Sequence, residues 1–191
     1  MRIQKIIFIF WGVLFLVADI FVGGFDLFSD IIGFVLLYFG FRGMIPYDFE
    51  LQTRNYRAAE YVSVGIVISS IHQVFRLIIS SADSLKDDKV LVIGVDTIFV
   101  VLSMLCFLLP IRILERNLSV MLVEAGREGM IKYCQTMTGL FLLAGGLGGI
   151  AGKLSFLGRF GAAARVIMGV SAVCYLLMLR KVKMELEEVY L

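Results

Sequence analysis

The sequence predicts an all-α integral membrane protein, organised as a bundle of six transmembrane helices. Its 191 residues are 60% hydrophobic and only 18% charged, whereas soluble domains carry about 25% charged residues. Its apolar runs approach the length of about 20 residues that an α-helix needs to cross the hydrocarbon core of a bilayer. These runs are continuous and lack the alternation with polar residues that is typical of a membrane β-barrel.

Six segments have this character, and helices are expected in all of them because hydrocarbon offers no partners to backbone groups. The predicted spans cover residues 5–23, 27–44, 59–81, 90–113, 133–152 and 160–180. They leave no room for a sizeable soluble domain, so residues 1–191 are expected to form a single transmembrane domain. The first apolar run resembles a signal peptide, but Asp19 interrupts it and no cleavage site follows, which favours a retained span.

The distribution of Lys and Arg predicts the orientation of these spans, because cytoplasmic loops are enriched in both residues. With the N-terminus inside, most of the Lys and Arg residues fall in cytoplasmic segments and fewer fall outside. Both termini are therefore predicted on the cytoplasmic side of the membrane. The connection around Lys153 and Arg159 is basic although it is predicted to lie outside.

The connections carry recognisable signals of their own. Gly23 and Gly24 favour a tight turn, and Asp26 is placed to cap the second helix, with Asp30 one turn inside it. Residues 45–58 mix aromatic and charged residues and favour an interfacial loop. Residues 115–131 are amphipathic, which predicts a helix lying on the cytoplasmic surface of the membrane. The last helix is expected to continue beyond residue 180, with Lys–Glu pairs at positions 181/185 and 183/187.

Several functions are excluded by composition and motif. The net charge is +2 and no Lys/Arg-rich tract occurs, which argues against binding to nucleic acid. Cys106, Cys134 and Cys174 stand alone in apolar segments, so neither a disulfide framework nor a metal site is predicted. The glycine run at 145–152 lacks the Lys-Ser/Thr ending of a phosphate-binding loop, and no zinc-protease or nucleophile motif is present. We therefore expect no enzyme and no cofactor.

Ionisable residues inside the predicted spans are the main functional signal. A charge in hydrocarbon is costly and persists where it is paired, hydrated or functional. Under the predicted topology, all of these residues fall in the outer half of the bilayer on helix faces that carry small and polar residues. They are Asp19, Asp30, His72, Arg76, Asp96 and Arg165.

This common depth predicts a polar chamber that binds a small ion or an anionic ligand in a transport-related protein. The carboxylates of Asp30 and Asp96 would accept a cation or a proton. The guanidinium groups of Arg76 and Arg165 would hold an anion or act as counter-ions. The imidazole of His72 would be a titrating member of the site.

The same residues also allow a structural interpretation. Arg76 could pair with Asp96 or Asp30 simply to hold two helices together, and His72 could be a hydrogen-bonded structural residue. The protein would then be a non-catalytic accessory or scaffold subunit that binds a membrane-protein partner. In both interpretations the lipid bilayer is the surrounding partner.

Glycines mark faces for close helix packing. Span five contains overlapping small-xxx-small patterns, and span six begins with the equally small run Gly161–Ala164. The two are expected to pack closely, although a bent helix lining a pathway is the alternative. The predicted packing residues are Gly33, Gly145, Gly149, Gly152 and Gly169.

The hairpin from Phe10-Trp11-Gly12 to the F-D-L-x-x-D-x-I-G motif at residues 25–33 resembles a group of uncharacterised small polytopic bacterial membrane proteins. The resemblance covers about the first 40 residues, and the chain differs at Ser29, where the group has Pro, and at Phe34, where it has Tyr. It implies a bacterial cytoplasmic membrane protein. In size and span number the chain is also similar to the substrate-binding subunits of energy-coupling-factor transporters, but its first helix is bulky where theirs carries small residues.

Overall fold

The computed structural model describes residues 5–22, 29–44, 48–81, 89–153 and 158–190. Within these ranges the chain is helical, without a β-strand, so the all-α prediction is confirmed. The described part forms six helices: α1 (Ile6–Val22), α2 (Ser29–Gly43), α3 (Phe49–Ser81), α4 (Lys89–Glu124), α5 (Gly129–Lys153) and α6 (Gly158–Tyr190). The predicted hairpin turn with Asp26 lies outside the described residues.

Helix α3 begins ten residues before the predicted span, so the interfacial loop predicted at 45–58 is wrong for most of its length. The Asp48 carboxylate explains the early start. It accepts hydrogen bonds from the backbone N–H groups of Glu50 at 3.2 Å and Leu51 at 3.4 Å. Such a cap satisfies amide groups that have no partner inside the helix, and it fixes the first turn.

The separate surface helix predicted at 115–131 is also wrong, because α4 runs without interruption to Glu124. The apolar face of this stretch packs inside the bundle: Leu118 and Leu122 are fully buried. Gly126, two residues beyond the end of α4, stops the helix with a φ of 69° that suits glycine. There the N–H of Arg127 donates to Leu122 O at 2.8 Å and the N–H of Gly126 donates to Val123 O at 3.0 Å, which is the Schellman pattern.

The six helices form a closed ring in which each helix packs antiparallel against the next and α6 returns to α1. The first pair shows the register: Gly43 lies against Lys5, and Gly33 lies against Leu16. At the other end of the chain, Arg127 binds Glu185 at 3.2 Å and Glu188 at 3.0 Å. This double ion pair ties the α4–α5 turn to the end of α6.

One of the two ion pairs predicted beyond residue 180 is present. Lys183 pairs with Glu187 at 3.1 Å as expected. Lys181 instead lies over the ring of Tyr133, 5.6 Å from its centroid. Its predicted partner Glu185 is taken by Arg127.

The outer surface of the ring is apolar along most of its length. Large side chains such as Val67 on α3, Ile98 on α4 and Ile167 on α6 are more than half exposed, a pattern that in soluble proteins is confined to interaction sites. Three described helices, over Phe49–Ile79, Val90–Glu124 and Phe160–Val189, are long and apolar enough to cross a membrane. These observations indicate a membrane protein, and we call this exposed surface the apolar belt.

Basic residues limit the apolar belt at one end, which we call the basic end. They lie near the start of α1, α3 and α5 and toward the end of α2, α4 and α6. All are exposed or half-exposed: Lys5, Arg42, Arg57, Arg112, Arg116, Lys132, Arg180 and Lys181.

The closest helix approaches are made by glycines, and substitution of one of them tests the packing. A Cβ on Gly148 would lie 2.6 Å from the carbonyl oxygen of Ala164 on α6, whereas a Cβ on Gly139 of the same helix would meet nothing within 4 Å. We expect Gly148→Ala to destabilise the protein by about 1–3 kcal/mol through overpacking. Gly139→Ala should be neutral or stabilise the helix slightly. Thermal unfolding in detergent, followed by circular dichroism, measures both; equal melting temperatures would contradict the packing described.

Candidate functional site

Three of the predicted site residues meet at the contact between α3 and α4. His72 Nε2 lies 2.6 Å from Asp96 Oδ1, and the Nε–H of Arg76 donates to the same oxygen at 3.1 Å. We call these three residues the triad. His72 is buried, and the side chains of Asp96 and Arg76 are 23% and 37% exposed. The Arg76–Asp96 pairing that the sequence left open is therefore present.

The triad follows directly from helix geometry. His72 and Arg76 are four residues apart and so project from the same face of α3. Asp96 lies in the second turn of the antiparallel helix α4 and reaches both side chains. Phe99, one turn further along α4, stacks on the imidazole with a centroid distance of 5.0 Å and an interplanar angle of 15°. This stacking holds the ring plane so that Nε2 faces the carboxylate.

The triad lies at the level of the apolar belt rather than beyond it. Exposed apolar side chains continue past it toward the helix ends, with Leu77 and Ile78 on α3 and Val90 and Leu91 on α4. A lone carboxylate at this level would be costly. Arg76 offsets the charge of Asp96, so the triad is neutral when His72 is neutral and carries one positive charge when His72 is protonated.

The remaining predicted site residues are placed differently. Asp30 is buried in the first turn of α2, where a carboxylate is favourable. Phe34 of α2 packs against Gly65 of α3, and this antiparallel register sets Asp30 at the level of Ser69, one turn from His72. Arg165 is half-buried on α6, and among the described residues no ion pair joins it to the triad. The Asp19 side chain lies outside the described part of the structure.

The predicted packing glycines can be placed in part. Gly33 lies against Leu16, and a Cβ on Gly145 would lie 3.3 Å from the Leu108 side chain of α4. Among the glycines of α5 whose surroundings are described, Gly148 is the one that lies against the backbone of α6. Gly169 is half-buried on α6. The surroundings of Gly149 and Gly152 lie outside the described residues.

A second group of buried polar residues lies nearer the basic end, and it was not predicted from the sequence. Asn117 Nδ2 donates to Asn55 Oδ1 at 2.7 Å, and Asn55 Nδ2 donates to the Met44 carbonyl at 3.1 Å. Both asparagines are at most 2% exposed. The sequence does contain a signal for a buried polar residue here. Glu115 shares one helical face with Leu118 and Leu122, so a carboxylate interrupts an otherwise apolar stripe.

Glu115 lies two residues from Asn117 on α4 and is therefore at the same level; we call Asn55, Asn117 and Glu115 the inner group. Glu115 is 3% exposed, and its Oε2 accepts a hydrogen bond from Arg112 Nη1 at 2.7 Å. Tyr175 of α6 lies within electrostatic reach of Glu115 and Cys134. In the described part of the structure, Tyr175 Oη is buried without a hydrogen-bond partner. A buried hydroxyl group of this kind favours a bound water molecule or a polar ligand.

An apolar layer separates the two polar groups. Along α4, the buried residue Ser103 lies two turns beyond Asp96, and a further stretch of about 18 Å of helix separates Ser103 from Glu115. The buried side chains in this interval are aromatic and aliphatic, and Phe141 joins them by edge contact with Phe107 at 5.9 Å and by stacking on Tyr175 at 4.6 Å. The described interior therefore has polar groups at two levels and a layer of apolar side chains between them.

No cluster of three or more His, Cys, Asp or Glu side chains capable of holding a metal ion occurs among the described residues. Comparison of the chain with models of protein families, with curated proteins and with solved structures finds no match. The geometry of the two polar groups is therefore the basis for assigning a function.

The Asn55–Asn117 contact provides a test of the inner group. We expect Asn55→Ala to destabilise the protein by about 1–3 kcal/mol, because it leaves Asn117 and the Met44 carbonyl buried without their donor or acceptor. Asn117→Ala should cost a similar amount, and the double variant should cost clearly less than the sum. Melting temperatures in detergent give the coupling. Strict additivity of the two substitutions would show that the two amides do not interact.

Proposed function

We propose that this chain is a multi-pass protein of the cytoplasmic membrane, transport-related, which binds a proton at the triad of His72, Arg76 and Asp96. The observation that carries the proposal is the contact of His72, the only histidine of the chain, with Asp96 inside the apolar belt. Ionisable groups at such positions in membrane proteins mark ion pathways and proton relays.

The six-span arrangement and its orientation are part of this proposal. The closed antiparallel ring supports six spans, because a ring of alternating helices places both ends of the chain on the same side. The basic end supports the orientation, because positive residues are enriched in cytoplasmic segments. Both termini would then lie in the cytoplasm, and the triad would lie in the outer half of the bilayer.

The chemistry of the triad suits reversible proton binding. Histidine is the side chain that changes charge near neutral pH, and the Asp96 carboxylate lies within hydrogen-bond distance of the His72 ring. The guanidinium of Arg76 balances the carboxylate of Asp96, so one proton on His72 changes the net charge of the triad from zero to +1. The apolar layer on the side of the basic end would keep the site closed toward the cytoplasm. Alternating access to such a site requires that this layer open.

A second candidate function is that of an accessory or scaffold subunit, which binds a membrane-protein partner. One observation favours it: a single oxygen of Asp96 accepts hydrogen bonds from both basic side chains. The triad would then hold α3 to α4, and its charges would have no ligand.

Proton binding can be followed directly because only one histidine is present. Protein labelled with nitrogen-15 histidine in nanodiscs gives the imidazole signals of His72 alone. We expect these signals to respond reversibly to pH in the folded protein, and Asp96→Asn to alter the response. The matched control Glu50→Gln removes an exposed ion pair to Arg54 on the same helix and should leave it unchanged. An imidazole indifferent to pH, or to Asp96→Asn, would refute the proton site.

Transport requires a separate measurement, in liposomes filled with a pH-sensitive dye. After a drop in external pH, we expect the wild-type protein to accelerate acidification of the interior. His72→Gln and Asp96→Asn should return the rate to that of protein-free liposomes, and Glu50→Gln should not. If both folded triad variants acidify the liposomes at the wild-type rate, the triad has no role in transport. No flux in the wild type, with a lower melting temperature in Asp96→Asn, would favour the scaffold function.

A further inference from the structure

The ring closes where α1 meets α6, and a cleft of about 300 Å³ lies at the basic end of this contact. Its lining divides into two parts. Ile6, Ile7 and Phe10 of α1 form an apolar wall with Leu179 of α6, and Arg180 and Lys183 of α6 form a basic rim. Neither the triad nor the inner polar group contributes to this cleft.

The apolar wall of the cleft continues along the surface of the bundle away from the basic end. On α1, Ile7 shares a helical stripe with the exposed side chains of Trp11 and Phe15. On α6, exposed Leu177 and Val173 follow Arg180 on the corresponding stripe. An extended hydrocarbon chain that starts in the cleft can therefore lie along this seam within the apolar belt.

The rim carries positive charge that the described residues neutralise only in part. Lys183 pairs with Glu187 at 3.1 Å. Arg180 is exposed and has no ion-pair partner among the described residues. A guanidinium group binds a phosphate by paired hydrogen bonds. With Glu187 included, the rim has one net positive charge, which complements a phosphodiester with one negative charge.

We propose that this cleft binds an anionic phospholipid, with its phosphate on Arg180 and Lys183 and an acyl chain along the α1–α6 seam. Basic pockets between transmembrane helices on the cytoplasmic side are recognised sites for anionic headgroups. Because the lipid contacts the two helices that close the ring, it stabilises the closed ring by mass action. This inference rests on the membrane orientation proposed above, but it is independent of any function of the triad.

The test compares lipids and variants in detergent. Purified protein is mixed with phosphatidylglycerol or with phosphatidylcholine of the same acyl chains, and retained lipid is counted by native mass spectrometry while the melting temperature is followed. We expect phosphatidylglycerol to be retained as one molecule per protein and to raise the melting temperature more than phosphatidylcholine does. Arg180→Gln/Lys183→Gln should weaken phosphatidylglycerol binding about 25-fold, since each basic residue contributes about fivefold.

A matched control removes two exposed basic residues from the same end of the bundle but outside the cleft. Arg116→Gln/Lys132→Gln should retain phosphatidylglycerol as the wild type does. Equal loss of phosphatidylglycerol in both double variants would show diffuse attraction rather than a site, and would overturn the proposal, as would equal retention of the two lipids by the wild type.

Soluble glycerol phosphate tests whether the acyl chain contributes. If it stabilises the protein as much as phosphatidylglycerol does, the cleft is a phosphate site and the acyl-chain seam is excluded. Failure of the triad experiments affects none of these outcomes.

Discussion

Close contact between neighbouring helices is the constraint on which the rest of this structure depends. In hydrocarbon, helices have no hydrophobic force that drives them together, so packing and interhelical polar contacts hold them. Gly12 and Gly33 allow α1 to approach α2 closely, and Gly148 allows α5 to reach the backbone of α6 at Ala164. Larger residues at these positions would separate the helices and change the register of the ring. The placement of every polar group follows from that register.

The polar contacts follow where the packing brings α3 and α4 together. Antiparallel pairing places His72 opposite Asp96 near one end and Asn55 opposite Asn117 near the other. Each pair satisfies groups that would be costly alone. They also fix the register, because sliding one helix by a single turn would separate both pairs at once. The seam between α3 and α4 is therefore specified at two separated levels.

Much of the architecture could be predicted from the sequence, since long apolar runs and their Lys/Arg-rich ends depend on local composition. The contact of Arg76 with Asp96 was one of two possibilities, because helical faces identify candidates for pairing but only the packing of α3 against α4 selects among them. The inner polar group was missed for a different reason. Amphipathicity at 115–131 is equally compatible with a surface helix and with a continuation of α4, and burial of Leu118 and Leu122 decides between them. That burial depends on neighbours from other helices.

The apolar layer between the two polar groups has a consequence for any transport function. Phe107, Phe141 and Tyr175 are packed ring against ring, and interiors packed in this way rearrange between discrete arrangements rather than deforming gradually. While those contacts exist, the packed rings obstruct the passage of a charged species from the triad, because burying a charge among apolar side chains is costly. Movement toward the inner group would therefore require α5 and α6 to shift relative to α4. The α1–α6 seam is a place where the ring could absorb such a shift, because α1 and α6 are distant in sequence and no short loop joins them.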